Sequence, residues 1–246
     1  MHTDFMTVFW KEWKEILLQR SAGGGGARQP LIFIALLGIF VPWRMGPQRF
    51  FNPAQLLVFT FLSAIVVTAV IADAFAGERE RHTLETLLAS RMSDRAILFG
   101  KIAAAIAYGW MIAIACAVVG TITVNVSHRE DGFMFYRDTA SWIILLIGPP
   151  LVAGAVATGG VLISLRAATV RQAQQTLGIG FMIIVVGMIF GSSSLPADWR
   201  AWLGRVLVEW SLTEIVLVAA AGILAVDLAL LMAGMARFQR SKLVLD

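Results

Sequence analysis

The residues best suited to polar chemistry are concentrated in one segment, AFAGERERHTLETLLASRMSDRAILFGK, which runs from Ala74 to Lys101. This segment is the densest cluster of charges in the sequence, and it lies between two long apolar runs. Within it, Leu84, Leu87 and Leu88 recur at helical spacing among the charges. The pattern predicts an exposed loop with a short amphipathic helix, an element that is suited to binding a soluble partner.

No arrangement of residues typical of catalysis accompanies this loop. His2, His82 and His128 stand in separate segments, and the sequence has no nucleophile, zinc or nucleotide-binding motif. The pair Gly100-Lys101 is not a phosphate-binding loop, because no serine or threonine follows it and the upstream glycine is absent. We therefore predict no catalytic residue, no metal site and no cofactor bound by this chain. If the protein does energy-driven work, the ATPase must be another chain.

Two aspartates lie within the apolar runs. Asp227 precedes Arg237 by ten residues, or about 15 Å along a helix, which places it near the middle of a bilayer. A lone carboxylate at that depth costs roughly a few kcal/mol or more, so we expect Asp227 to face the interior of a helical bundle or a polar path, or to be protonated. Asp73 lies near the loop end of its run and reaches water more easily. Each could contact a cation or substrate, or could form a hydrogen bond between helices.

The remaining sequence is mostly apolar enough to lie in a membrane. Only 15% of the 246 residues are charged, 58% are apolar and the mean hydropathy is +0.77, whereas a soluble domain carries about 25% charged residues. Several apolar runs approach or exceed the roughly 18–20 residues that cross a bilayer. We therefore predict an all-α membrane protein, with one domain over 1–246 and six transmembrane helices over 31–43, 53–75, 96–126, 142–165, 176–195 and 212–236.

Two of the predicted spans contain irregularities. The first has only 13 residues, or about 20 Å as a helix, against a hydrocarbon core of about 30 Å. It could be a short span, a span kinked at Pro42 or a re-entrant segment. In the fourth span, Gly148-Pro149-Pro150 predicts a kink, because proline has no N–H to donate.

Two further segments are amphipathic. The pattern over 4–19 predicts a helix that lies in the membrane interface and contacts lipid, although packing on protein is an alternative. Its aromatic and apolar face consists of Phe5, Phe9, Trp13, Ile16 and Leu17, and its charged face of Lys11, Lys14 and Glu15. The segment from Ala197 to Trp210 predicts a second helix, at the outer interface.

The distribution of basic residues predicts the orientation. With the six spans above, fourteen of the 20 basic residues fall on the side that holds both termini and the charged loop, and the positive-inside rule makes that side cytoplasmic. The sequence pI of about 9.7 therefore reflects topology, and we predict no nucleic-acid partner. The fourteen basic residues on the predicted cytoplasmic side are Lys11, Lys14, Arg20, Arg28, Arg79, Arg81, Arg91, Arg95, Lys101, Arg166, Arg171, Arg237, Arg240 and Lys242.

The charged loop resembles the signature region of ABC transporter permeases of the type-2 exporter family. After their second span, those proteins read roughly Glu-Arg-Glu, Thr-Leu-Glu and Leu-Leu, and end in Gly-Lys before the third span. The matching residues here are Glu78-Arg79-Glu80, Thr83-Leu84-Glu85, Leu87-Leu88 and Gly100-Lys101. The six-span layout and both amphipathic helices also match, so the resemblance covers essentially the whole chain. The sequence departs from the family at His82, where glycine is common, and at Arg91-Met92-Ser93, where proline often precedes the serine.

The resemblance implies an ATP-driven exporter in the cell (inner) membrane. Two six-span permeases, here a homodimer, would assemble with two ABC ATP-binding subunits that hold ATP and Mg²⁺. The loop over 77–95 would dock on the ATPase through a coupling helix, with Glu78 and Glu85 making polar contacts or orienting the loop. The alternative is a solvated loop with internal ion pairs such as Glu78–His82. The expected loop residues are Glu78, Glu80, Thr83, Leu84, Glu85, Leu87 and Leu88.

Other functions remain open for a chain with this pattern. It could be a haem-exporter-type permease, although clustered histidines and tryptophans on the outer side are absent from the sequence. It could also be a non-transporting anchor or force-transmitting partner of an ABC ATPase. The exported substrate is unidentified, and the short outer loops favour a small or lipid-derived molecule.

Overall fold

The computed structural model describes residues 2–22, 28–81 and 93–237, and all regular secondary structure in these ranges is helical. Four helices within these ranges are long and apolar enough to cross a membrane. They contain the predicted second, third, fourth and sixth spans almost completely, so these four predictions are confirmed as helices of the required length and polarity. Their bounds are Pro53–Glu80, Asp94–Ser127, Thr139–Ser164 and Leu212–Ala236.

The helices follow one another with short connections, and several of them are joined end to end. In chain order they are α1 (His2–Ala22), α2 (Arg28–Phe33), a π-helical segment (Ile34–Phe40), α3 (Val41–Met45), α4 (Pro47–Phe50), α5 (Pro53–Ala72), a second π-helical segment (Asp73–Gly77), α6 (Glu78–Glu80), α7 (Asp94–Ser127), a 3-10 turn (Arg129–Asp131), α8 (Thr139–Leu146), α9 (Gly148–Ser164), α10 (Val170–Ser194), α11 (Ala197–Glu209) and α12 (Leu212–Arg237).

The predicted first and fifth spans are also helical, but they are not among the four. The first span, 31–43, falls in a continuous apolar helix over Gln29–Met45, which is shorter than the others. Its middle is π-helical, and Pro42 follows this segment directly inside the same helix, where an irregular hydrogen-bonding pattern accommodates its missing N–H. The fifth span, 176–195, overlaps the 25-residue α10.

The proline pair of the fourth span interrupts the helix, as predicted. Helix α8 ends at Leu146 and α9 begins at Gly148, with Pro149 in its first turn. The carbonyl of Pro149 accepts a hydrogen bond of 2.9 Å from the Ser63 hydroxyl of α5. The break in one helix is thereby joined to its neighbour inside the bundle.

Helices α5, α7 and α9 form the centre of the bundle. Their contact surfaces are lined with buried aliphatic and aromatic side chains such as Phe59, Val67 and Ile71. Glycine allows the closest approach: a Cβ at Gly109 of α7 would lie 2.7 Å from Val67 Cγ2 and 2.9 Å from the Ser63 carbonyl oxygen. Small residues at such crossings let two helix backbones pack closely where lipid supplies no hydrophobic driving force.

Helix α1 includes the predicted range 4–19 and packs along α7. Its inner face is centred on Val8 and Glu12, which are 2% and 5% exposed. The inner face of α1 therefore packs on protein, which is the alternative that the sequence analysis gave for this helix. The opposite side exposes Met6, Trp10 and Leu18, and its placement at the membrane surface stays a prediction.

Two long helices leave most of their apolar surface uncovered. The side chains of Ile179, Met182 and Ile183 on α10 are each more than 60% exposed. Helix α12 contacts α9 and α8 on one side but exposes Leu224 and Leu228. These surfaces need an apolar environment, which lipid or another protein can provide.

Substitution of Gly109 tests the close crossing of α5 and α7. We expect Gly109→Ala to lower the free energy of unfolding by about 1–3 kcal/mol, because the methyl group meets a backbone carbonyl that cannot turn away. Chemical unfolding of the detergent-solubilised protein, followed by circular dichroism, measures the change. Gly178→Ala is the control, since nothing lies within 4 Å of a Cβ there. Equal stability of the two variants would contradict the crossing geometry.

Candidate functional site

The described part of the charged loop is its base. The chain leaves α5 through the π-helical segment Asp73–Gly77 and continues as α6 to Arg81, and it resumes at Ser93 before α7. The predicted loop residues Glu78 and Glu80 belong to this base. The other five, Thr83, Leu84, Glu85, Leu87 and Leu88, lie outside the described residues.

The π-helical segment Asp73–Gly77 continues the long helix beyond α5 toward the loop. A Cβ at Gly77 would lie 2.7 Å from Asp73 Oδ1, so glycine leaves room for that carboxylate. The same oxygen accepts a 3.0 Å hydrogen bond from Arg81 Nη2. Both side chains are about half exposed, so this ion pair adds little stability. The ion pair does join the start of the π-helical segment to the residue that follows α6.

Lys101 of α7 carries the most deeply buried charge at the base of the loop. Its side chain is 1% exposed, and its Nζ lies 2.9 Å from Glu12 Oε1 and 2.8 Å from Glu78 Oε1. The Phe75 ring centroid is 5.7 Å from the same nitrogen. A buried ammonium group must be paired to be tolerated, and here two carboxylates and one aromatic ring surround it.

A second lysine balances the two carboxylates. Lys11 Nζ lies 3.4 Å from Glu12, 3.5 Å from Glu15 and 3.9 Å from Glu78. Partial burial acts to lower the pKa of Lys11, but the three carboxylates together raise that pKa above its ordinary value. Lys11 therefore stays charged. We refer to Lys11, Glu12, Glu78 and Lys101 as the base cluster.

The residue before Lys101 explains how α1 comes close enough to join the base cluster. A Cβ at Gly100 would lie 2.7 Å from Val8 Cγ1 and 3.2 Å from the backbone nitrogen of Phe9. The two helices therefore touch at Gly100, one residue from the ion pair. One turn further along α1, Trp13 contacts Tyr108 edge to face, with ring centroids 6.5 Å apart.

The opposite side of the loop base is bonded to the connection between α9 and α10. Arg79 Nη1 donates a 2.8 Å hydrogen bond to the Leu165 carbonyl. The Val170 N–H donates a 3.0 Å hydrogen bond to Glu80 Oε2. Val170 is the first residue of α10, so this carboxylate also interacts favourably with the positive end of the helix dipole.

The structure therefore places the two described loop glutamates in different environments. The Glu78 side chain is only 14% exposed and points toward Lys101, which favours a role in orienting the loop. Glu80 is exposed and contacts the neighbouring connection. Glu78, Lys101, Asp73 and Arg81 all line one small cavity at the base of the loop. Within the described ranges, no group of three His, Cys, Asp or Glu residues is arranged to hold a metal ion.

Glu12 and Lys101 were not among the predicted site residues. Glu12 was hidden by the pattern of α1, whose lysines and glutamates suggested one solvated face. A signal was nevertheless present, because Glu12 lies four residues from both Val8 and Ile16 and so shares their helix face. Lys101 enters the sequence analysis as a basic residue beside a span and as part of the Gly100-Lys101 motif, but with no role in a site.

Asp227 faces the interior of the bundle, as expected. Its Oδ2 lies 2.8 Å from the position that a Cβ on Gly154 of α9 would occupy, so the glycine makes room for the carboxylate. Its Oδ1 is buried without a hydrogen-bond partner in the part of the chain that the structure describes. Thr158, one turn away, uses its hydroxyl to bond the Gly154 carbonyl. The second predicted intramembrane residue, Asp73, belongs to the loop base instead.

A double-mutant cycle on the base cluster tests the buried ion pair. We expect Lys101→Met to lower the free energy of unfolding by about 3–5 kcal/mol, because it leaves two buried carboxylates with one lysine. Glu12→Gln should also destabilise, and the double variant should lose less than the sum, by roughly 0.5–3 kcal/mol. Denaturant unfolding measures each value. Lys14→Met, which removes an exposed lysine over the Trp10 ring, is the control. Strict additivity would contradict the pairing.

Comparison with known proteins finds curated relatives of this chain. Two curated relatives, each described as the probable multidrug ABC transporter permease YbhS, come from Escherichia coli strain K12 and Escherichia coli O157:H7. Each is 23% identical to the chain over 199 residues, which cover 80% of this chain and 48% of the relative. The chain thus spans about half the length of the curated relatives it matches. No solved structure matches it significantly.

The family comparison covers nearly the whole helical bundle. The family model for the ABC-2 type transporter matches the sequence over residues 3–236, from the start of α1 to the end of α12. That range includes the base cluster, the connection bonded to it and the intramembrane Asp227. With its several helices long and apolar enough to cross a bilayer, the chain is a multi-pass membrane protein that belongs to the ABC-2 type transporter family.

Proposed function

We propose that this chain is the membrane subunit of an ATP-driven exporter, which moves its substrate out of the cytoplasm. The observation that carries the proposal is the construction of the loop base. Buried ion pairs join it to α1 and α7, and hydrogen bonds join it to the connection before α10. A loop attached in this way can pass movement of a bound subunit into several membrane helices.

The partner that suits this loop is an ABC ATP-binding subunit, which would hold ATP and Mg²⁺. At the helical spacing that the sequence predicts, Leu84, Leu87 and Leu88 would form an apolar ridge for docking, and Glu85 would belong to its charged rim. Membership of the ABC-2 family supports this choice of partner. The chain itself contributes no nucleotide-binding motif.

We propose that the chain lies in the cell (inner) membrane and crosses it six times. Both termini and the loop base are then on the cytoplasmic side. Helix α10 has 25 residues, or about 37 Å, which is enough to cross. The apolar helix over Gln29–Met45 is shorter and would cross where the bilayer thins locally. The exposed faces of α10 and α12 suit a second copy of the chain, giving a homodimer.

The outer side of α1 suits the membrane surface. Met6, Trp10 and Leu18 are exposed on it, and the Lys14 ammonium lies 5.2 Å from the Trp10 ring centroid. Aromatic residues beside lysines are typical of helices that contact lipid headgroups. We propose that α1 contacts protein through Val8 and Glu12 and lipid through this opposite side.

The substrate contact that we propose is Asp227, which would recognise a positively charged group. Its buried carboxylate lies between α9 and α12 in the apolar part of the bundle, where carboxylates are rare and usually functional. A small cationic molecule matches both this charge and the short outer loops. The multidrug description of the relatives concerns those proteins, and it is consistent with such a substrate.

Single-cysteine labelling tests the six-span topology. In a Cys116→Ala background, we expect Gln48→Cys, Glu130→Cys and Asp198→Cys to react with a membrane-impermeant maleimide on intact cells. Ala168→Cys should react only after the membrane is permeabilised and is the matched control. All four positions are exposed. Labelling of positions 168 and 198 from the same side would show that α10 does not cross.

Substitution of the predicted ridge tests ATPase docking. We expect Leu84→Asp with Leu88→Asp to abolish co-purification of the ATP-binding subunit, because two buried charges disrupt an apolar contact. Membrane insertion should be unchanged. The control, Leu84→Met with Leu88→Met, keeps the apolar volume and should keep the complex. The subunit is identified by its Walker A peptide in mass spectrometry, and its retention by the Asp variant would contradict the docking site.

Neutralisation of Asp227 tests the substrate contact. We expect Asp227→Asn to reduce ATP-dependent efflux of ethidium, a small organic cation, by roughly tenfold or more, since a charge-assisted contact contributes about 1.5–3 kcal/mol. Fluorescence of cells that express the complex measures efflux. Asp198→Asn, in the exposed first turn of α11, is the control. Efflux at the unsubstituted rate would contradict this role.

A further inference from the structure

The base cluster brings together three stretches of chain that are far apart in sequence. Glu12 belongs to α1, Glu78 begins α6 and Lys101 lies in the second turn of α7. One ammonium group bonds both carboxylates, at 2.9 and 2.8 Å. No other charged side chain in the described residues is as buried as that of Lys101.

We propose that Lys101 is a positioning residue for energy coupling, which holds α1 and the loop base in one arrangement on α7. When the loop is displaced, Lys101 would carry the displacement to both helices at once. This inference rests on the proposed function, because it requires an ATP-binding subunit that moves the loop. It adds a residue and a route to that function.

The position of Glu78 supports transmission through Lys101. Glu78 is only five residues before Thr83, the next predicted docking residue after the loop base, so a displacement of the docking residues has little chain to cross before it reaches Glu78. Its bond to Lys101 is nearly shielded from water, with side chains 14% and 1% exposed. An ion pair in such a place is screened little by solvent.

The contact of α1 with α7 makes the link stiff. Gly100 permits backbone-to-backbone approach beside Val8, and Glu12 lies one turn further along the same face. Rotation of α1 about its axis would move Glu12 away from Lys101 and take Val8 out of the space beside Gly100. The helix therefore cannot turn without breaking the ion pair, which defines one register between the three elements.

The remaining contacts of the loop base are of a different kind. Arg79 and Glu80 bond backbone groups of the connection over 165–170, and these two side chains are exposed. Exposed hydrogen bonds exchange readily with water. Buried ion pairs contribute more to fixing one arrangement than to net stability. Lys101 therefore differs from Arg79 and Glu80, because water can hardly replace its protein partners.

The test uses the complete complex of permease and ATP-binding subunit in lipid nanodiscs. ATP hydrolysis by the complex is compared with that of the same ATP-binding subunit released from the permease. We expect the two rates to differ for the unsubstituted permease. With Lys101→Met the complex should still co-purify, but the difference should shrink by roughly tenfold. Lys101→Arg, which keeps the charge, should restore most of it.

A second measurement follows α1 directly and needs no partner. In the Cys116→Ala background, Val8→Cys is buried against Gly100 and should react slowly with a water-soluble maleimide. Adding Lys101→Met should speed this reaction by roughly tenfold or more, and Lys101→Arg should not. Glu12→Gln, a milder change at the same bond, should show the same pattern if Lys101→Met folds poorly. Lys14→Met is the control for loss of a lysine that is exposed.

The outcomes separate this inference from the function on which it rests. If the unsubstituted permease captures no ATP-binding subunit, the proposed function fails, and the cysteine measurement still decides whether Lys101 positions α1. If Lys101→Met leaves both the hydrolysis difference and the cysteine reactivity unchanged, the positioning role is overturned. Loss of the hydrolysis difference in an intact complex, with rescue by arginine, supports it.

Discussion

Lys101 has to be paired where it lies, because an ammonium group with almost no access to water is stable only beside opposite charge. Its two partners come from elements that otherwise share little contact. Glu12 can reach it only if α1 lies close along α7, and that approach requires glycine at position 100. Glu78 reaches it from the end of the same long helix as α5, which the π-helical segment Asp73–Gly77 continues. The arrangement of this end of the bundle therefore depends on one buried charge.

The interior of the bundle follows a different rule. Helices α5, α7 and α9 approach through small residues and buried aliphatic side chains, and the Ser63 hydroxyl of α5 donates a hydrogen bond to the Pro149 carbonyl beside the proline break. Asp227 is the exception there, because its carboxylate occupies space that Gly154 leaves and has no lysine or arginine beside it among the described residues. The carboxylates of Glu12 and Glu78 are paired with lysines and serve the structure. The carboxylate of Asp227 is left for a ligand, which we propose to be cationic.

These two features divide the molecule by role. The loop base connects to α1 and α7 by buried charge and to the connection before α10 by exposed hydrogen bonds. Helix α9 packs against α10 and α12, whose outer faces are apolar and uncovered. A displacement that enters at the loop base thus has a stiff route into the centre of the bundle. The uncovered faces of α10 and α12 are where a second copy or lipid would respond to it.

The sequence by itself determined the class of the protein, four of its long apolar helices, the proline break and the loop with its family motif, because hydropathy, length and proline chemistry are local properties of the chain. It also indicated that Asp227 must face inward, since the cost of exposing a carboxylate to lipid does not depend on the fold. Only the tertiary structure decided that Glu78 turns inward, that Glu12 is buried and that Lys101 joins them. Those facts depend on which faces of α1 and α7 meet. The periodicity of residues within one helix carries no information about the charged residues of a neighbouring helix.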